Sequence, residues 1–160
     1  MNKLQKILND IDFDDQSSIN DLFIEIIVSH FTHYLSGGEY LAEEIISFAD
    51  VGNDPEKIRW FLNVEKKFLS LYSDLYEASR GHVSLILDGI VHENIEFLTY
   101  SKAVSSAMRE KPLCNFYFHD IGLYAMAGYD LTHSFYLFKS EEVYLTSIKS
   151  MIKKTGLNVL

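Results

Sequence analysis

The stretch LCNFYFHDIGLYAMAGYDLTHSFYLFK, residues 113–139, decides the fold class. Cys114, Phe116 and Phe118 alternate with Asn115, Tyr117 and His119, the two-residue period of a strand with one face buried. Residues 121–129 form a second candidate strand, and Phe135-Tyr136-Leu137-Phe138 within residues 134–139 a third. Their connections are too short for parallel crossovers, so the pairing is expected to be antiparallel. Outward from this core the period changes. Phe97, Tyr100, Val104 and Met108 keep a helical spacing over residues 93–110 until Pro112 forbids continuation. On the other side, Ser140, Glu141 and Glu142 open a last helix carried by Tyr144, Ile148, Met151 and Ile152. Lys153 and Lys154 complement its dipole, Thr155-Gly156 ends it, and residues 157–160 suit a short edge strand. Residues 83–91 fit neither period cleanly: Val83, Leu85 and Leu87 alternate, Ile86 interrupts, and Asp88-Gly89 signals a turn.

The first half reads as helices. Ile19, Leu22, Phe23, Ile26, Ile27, His30, Phe31 and Tyr34 match the i, i+3, i+4 template, with Ser18 and Asp21 as a capping box and Gly37-Gly38 as the stop. A shorter helix over residues 39–50 places Leu41, Ile45 and Phe48 on one face. Asp54-Pro55 caps a long third helix with the buried stripe Phe61, Val64, Phe68, Leu71 and Leu75, ending at Gly81. The expected architecture is α+β: N-terminal helices, then a small antiparallel sheet and a C-terminal helix. No repeat, low-complexity tract or Pro/Gly/Ser-rich linker divides the chain, so residues 1–160 read as a single domain.

At 160 residues with 48% hydrophobic and 23% charged side chains, the chain can bury a core without metal or disulfide help. Its one cysteine, Cys114, has no partner within the chain, as suits a reducing compartment. The start, Met1-Asn2-Lys3-Leu4-Gln5-Lys6, runs into polar and acidic residues without the apolar region of a secretory signal, and no apolar run is long enough to span a membrane. A cytoplasmic location is the expectation. The net charge of −9 opposes direct contact with nucleic acid or an anionic bilayer, which require Lys and Arg.

That charge is regional. Residues 7–56 carry Asp10, Asp12, Asp14, Asp15, Asp21, Glu25, Glu39, Glu43, Glu44, Asp50, Asp54 and Glu56 and no Lys or Arg, a charge of −12, whereas the remaining acids and bases leave +3. Caps near helix N-termini account for several of these carboxylates. They do not account for fifty residues without one base, since solvated helix faces usually mix both signs. An aromatic anchor rimmed by carboxylates is the composition of a hot spot for a basic protein. The expected partner-binding residues are therefore Asp12, Phe13, Asp14, Asp15, Glu39, Tyr40, Glu43 and Glu44, brought to one surface if the Gly37-Gly38 reversal returns the second helix alongside the first.

Catalytic alternatives are thinner. His30 and His33 lie three apart on the expected first helix and want a third committed ligand for a metal site; a structural histidine explains His30 better. His119-Asp120 and Asp130-His133 are acid and imidazole pairs suited to proton transfer, but a strand between them holds them ~25 Å apart. Cys114 falls on the apolar face, where a thiol keeps its proton. With no phosphate loop, nucleophile elbow or paired CxxC, no catalytic residue, metal or cofactor is expected.

Small, acidic, motif-poor and α+β, with Asp12-Phe13-Asp14-Asp15 and an aromatic run from Asn115-Phe116-Tyr117-Phe118 through Ser134-Phe135-Tyr136-Leu137-Phe138 to Gly156-Leu157, the chain resembles bacterial immunity proteins. Those proteins act against the toxic nuclease domains of contact-dependent inhibition and related polymorphic toxin systems. The resemblance implies a protein without turnover that binds a basic toxin domain and covers its active or substrate-binding surface; no functional residue carries over from it. The aromatic content serves self-association equally well. The rivals are an acidic nucleic-acid mimic that inhibits a host nuclease, and a small enzyme using His30 and His33 or His119 and His133.

Overall fold

The computed structural model describes residues 3–160; Met1 and Asn2, at the head of the leader read for a targeting signal, lie outside them. In chain order the elements are α1 (Lys3–Asp10), α2 (Gln16–Leu22), β1 (Phe23–Ser29), α3 (Gly37–Ala42), a 3-10 turn (Phe48–Asp50), α4 (Pro55–Ala78), β2 (Val83–Leu87) and β3 (Ile90–His92). They continue as α5 (Phe97–Met108), β4 (Asn115–Phe118), β5 (Leu123–Met126), β6 (Thr132–Phe138), a 3-10 turn (Lys139–Tyr144), α6 (Leu145–Lys154) and β7 (Asn158–Val159). The seven strands form one antiparallel sheet in the order β3-β2-β4-β5-β6-β1-β7. The chain is thus α+β with a C-terminal helix, and its sheet is larger than expected.

The additional strand comes from the acidic half. Where a helix was expected over residues 19–34, the chain makes only the short α2 and then turns into β1, paired along its full length with β6 from Phe23 opposite Phe138 to Ser29 opposite Thr132. Nearly every residue from Leu22 to Val28 is apolar, so the helical template is met without being diagnostic. The four β-branched residues Ile24, Ile26, Ile27 and Val28 decide for the pleated surface. Two caps differ accordingly. Asp15, not Ser18, is the N-cap of α2, accepting from the Ser17 N–H. Gly37 and Gly38 open α3 instead of ending a helix, with Ser36 and Glu39 as a reciprocal capping box. The expected helix over residues 39–50 reduces to α3 and the 3-10 turn.

Elsewhere the patterning is realised. α4 begins at Pro55 after its Asp54 cap and buries Phe61, Val64, Phe68, Leu71 and Leu75 as one stripe. Residues 83–92 are a hairpin, with Asp88 (φ 49°) and Gly89 (φ 76°) both left-handed as a two-residue turn between right-twisted strands requires.

The two faces of the sheet bury different side chains. On one, Ile26, Val28, Val83, Leu85, Phe116, Phe118, Leu123, Ala125, Phe135 and Leu137 meet the apolar stripes of α4, α5 and α6. On the other, Phe23, Ile86, Tyr117, Tyr124, Tyr136 and Phe138 meet Leu4 and Ile7 of α1 and Ile19 of α2. Residue alternation along every strand divides the chain into these two cores. Among the described residues, no helix is long and apolar enough to cross a membrane.

Candidate functional site

The acidic block is explained in part by its own backbone. Asp12 accepts the Asp14 N–H at 2.9 Å, Asp15 caps α2, Asp50 accepts the N–H groups of Ile46 and Ser47, and Asp54 those of Glu56 and Lys57. Hydrogen bonding holds the Asp15 and Asp50 carboxyls below the usual range. The Ser36 N–H, and then His33, bring Glu39 down to about 2. By contrast Asp14, Asp21, Glu43, Glu44 and Glu56 make no side-chain hydrogen bond or ion pair among the described residues.

Three of those five uncommitted carboxylates surround one feature. α3 has no buried residue; it is held by its capping box and by the hydrogen bond between His33 Nε2 and Glu39 Oε1 at 2.9 Å. Leu41 on it is 87% exposed and Tyr40 44%, while Tyr34, just upstream, is 66% exposed. Tyr34 and Tyr40 line the same recess, walled by Ser29, Thr132 and Leu160. Beyond α3 the chain folds back to bury Ile45 and Ile46. This leaves a groove of about 380 Å³ between Ala42, Glu43, Glu44 and Ile45 on one wall and Asp54, Glu56, Lys57 and Trp60 of the α4 start on the other. Exposed aromatic and aliphatic groups beside unpaired carboxylates are the chemistry of a protein-docking face.

The expected eight-residue surface therefore divides. Glu39, Tyr40, Glu43 and Glu44 lie together around α3. Asp12, Phe13, Asp14 and Asp15 lie at the other end of β1, a strand ~20 Å long, beside the core on the opposite face of the sheet. Phe13 is half-buried there, its ring 4.8 Å from that of Tyr136 and 5.4 Å from that of Tyr124. It is a structural aromatic that closes the second core, because β1 displays Phe23 and β6 Tyr136 to it; the helix expected over residues 19–34, alongside which α3 was to return, does not form. Sequence reasoning missed Tyr34, Leu41, Asp54, Glu56 and Trp60. Tyr34 and Leu41 had been assigned to buried stripes of helices that do not form.

No known protein family, curated protein or solved structure matches this chain.

His30, His33, His119 and His133 do not gather in one pocket. His30 lies edge-on to Trp60 at 5.1 Å, kept below its usual pKa by burial and then by Lys67, while His33 turns outward to Glu39. Neither is on a helix. His119, at the β4–β5 turn, stacks on His82 at 4.3 Å and shares a hydrogen bond with Ser84, and Asp120 pairs with Arg80 and His82. His133 is in the main core at the far end of β6, its Nδ1 2.8 Å from the Tyr72 hydroxyl. Burial pushes the Cys114 thiol up to about 12. Among the described residues no three His, Cys, Asp or Glu side chains converge as metal ligands.

Proposed function

We propose that this is a cytoplasmic, immunity-type protein that binds a basic toxin domain, a nuclease being the best fit, and neutralises it by covering its active or substrate-binding surface. The observation that carries the reading is α3: a helix without a buried residue, presenting Tyr40 and Leu41 beside Glu43 and Glu44, which make no side-chain hydrogen bond or ion pair among the described residues. In the free protein such a surface weakens solubility and adds self-repulsion. In a complex the apolar centre is desolvated and the acidic rim steers a basic face into register. A nuclease supplies that face because it must hold phosphates. The protein itself carries out no turnover and needs no cofactor or metal. The exposed apolar centre favours this reading over nucleic-acid mimicry, which calls for an unbroken acidic row, and the enzyme reading is disfavoured because His133 lies in the main core, away from His119.

An immunity gene lies directly beside its toxin gene, so the natural test uses the basic domain encoded next to this chain. Association should slow about tenfold or more between low and high salt as steering is screened, with dissociation much less affected. Reversing Glu43 and Glu44 to Lys should slow association further. Stopped-flow rates that stay flat with salt, and equal for the reversed variant, would remove the electrostatic basis of the proposal.

A further inference from the structure

We infer that the groove between α3 and the first turns of α4 receives an arginine side chain of the partner, its guanidinium stacked on the Trp60 indole and paired with Glu43, Glu44 and Glu56. This rests on the partner being a basic protein, and it names the part of that protein that enters. Trp60 lines the groove half-buried, held by the perpendicular ring of His30 at 5.1 Å and by packing on the main core. An anchored indole is the best side-chain platform for a cation. Around it stand four carboxylates against one ammonium, that of Lys57. Asp54 contributes least, since its Oδ1 already accepts two N–H groups at the positive end of α4. Glu43 and Glu44, beyond the end of α3 and without side-chain hydrogen bonds among the described residues, carry most of the attraction.

The charge excludes an anion, and the absence of three converging ligands among the described residues disfavours a metal ion. Between the two basic side chains, the ring decides. Lysine is a strongly hydrated point charge that any of these carboxylates would satisfy in water. Arginine is planar, weakly hydrated, able to lie flat on an indole and to engage a carboxylate with two N–H donors at once. The groove's mixed lining, with Ala42, Ile45 and Trp60 set among the acids, complements both the alkyl stem and the guanidinium head.

Trp60 is the only tryptophan of the chain, so its emission reads the groove directly. The intact protein is titrated at low ionic strength with hexa-arginine and hexa-lysine peptides, probes of equal charge. Hexa-arginine should change Trp60 emission saturably and bind about fivefold tighter than hexa-lysine. Glu43→Gln with Glu44→Gln should weaken hexa-arginine about tenfold. Equal affinities for the two peptides, or binding that leaves Trp60 emission unmoved, overturn the inference. With the basic partner domain itself, Trp60→Phe should bind close to wild type and Trp60→Leu more weakly. A Trp60→Leu variant that keeps wild-type, salt-dependent affinity overturns the arginine groove and leaves the docking proposal standing; a wild-type protein that does not bind the basic domain overturns both.

Discussion

Lowering the pH from 6.5 to about 5 is expected to destabilise the folded protein by about 2 kcal/mol through His133 alone. Its ring is enclosed by the core, bonded at Nδ1 to the Tyr72 hydroxyl and packed 4.5 Å from the Phe68 ring, with no hydrogen-bond partner at Nε2. Burial lowers its pKa from 6.5 to about 3. In the unfolded chain the same imidazole takes up a proton below 6.5, so between 6.5 and 3 the unfolded state binds more protons and stability falls with pH. His30 and His119, both held below their usual values chiefly by burial, push in the same direction. The carboxyls of Asp15, Glu39, Asp50 and Asp120, held down by hydrogen bonds, respond at lower pH, while Glu110, raised by burial, acts against the histidines as pH falls. Urea unfolding at pH 7, 6 and 5 measures the slope, and ring resonances of His133 should not titrate above pH 5. An imidazole at position 133 that titrates near 6.5 in the native protein contradicts the burial.

Arg109→Ala should cost about 3 kcal/mol, more than its position at the edge of α5 suggests. Glu65, inside α4, is only 4% exposed and accepts from Arg109 Nε at 2.7 Å, from its Nη2 at 2.9 Å and from Ser105 Oγ at 2.9 Å. The guanidinium also lies over Phe48, tying the 3-10 turn to the helix pair. Without it a buried carboxylate keeps one neutral donor, and such an uncompensated charge costs more than the pair contributes when intact. The double variant Glu65→Met with Arg109→Met should therefore recover to within about 1 kcal/mol of wild type. Denaturant midpoints of the single and double variants decide it: additive losses would mean that the pair is solvated and the interior position of Glu65 is misjudged.

The parts of the fold legible in the sequence were those where one period excluded the other. The alternation from Cys114 to Phe118 and the stripe from Phe61 to Leu75 each satisfy a single template, and both elements are where they were expected. β1 was not legible, because an apolar run broken only by Glu25 satisfies strand and helix patterns alike and its partner, β6, lies over a hundred residues away. That one misreading propagated to the site. It moved Tyr34 inward onto an imagined stripe, as the expected helix over residues 39–50 did Leu41, and it set Phe13 and Tyr40 at the two ends of one helix on a shared face, whereas Phe13 packs into the second core. The regional acidity was legible because it is a matter of composition. Which carboxylates remain uncommitted was not, since Asp15, Asp50 and Asp54 serve backbone N–H groups that only the folded caps define. The hairpin at Asp88-Gly89 shows the intermediate case: the turn was visible, but the three-residue β3 is too short to carry a period of its own.

The central claim is that α3 and the groove beside it form the face presented to a basic partner. Amide hydrogen exchange of the full chain, alone and saturated with a basic toxin domain of the kind proposed as its partner, tests this most directly. The account predicts slowed exchange in residues 34–46 and 54–60 on binding and unchanged exchange in residues 10–22. Protection confined to residues 10–22 or to the strands of the C-terminal half, with residues 34–46 exchanging as in the free protein, would contradict it.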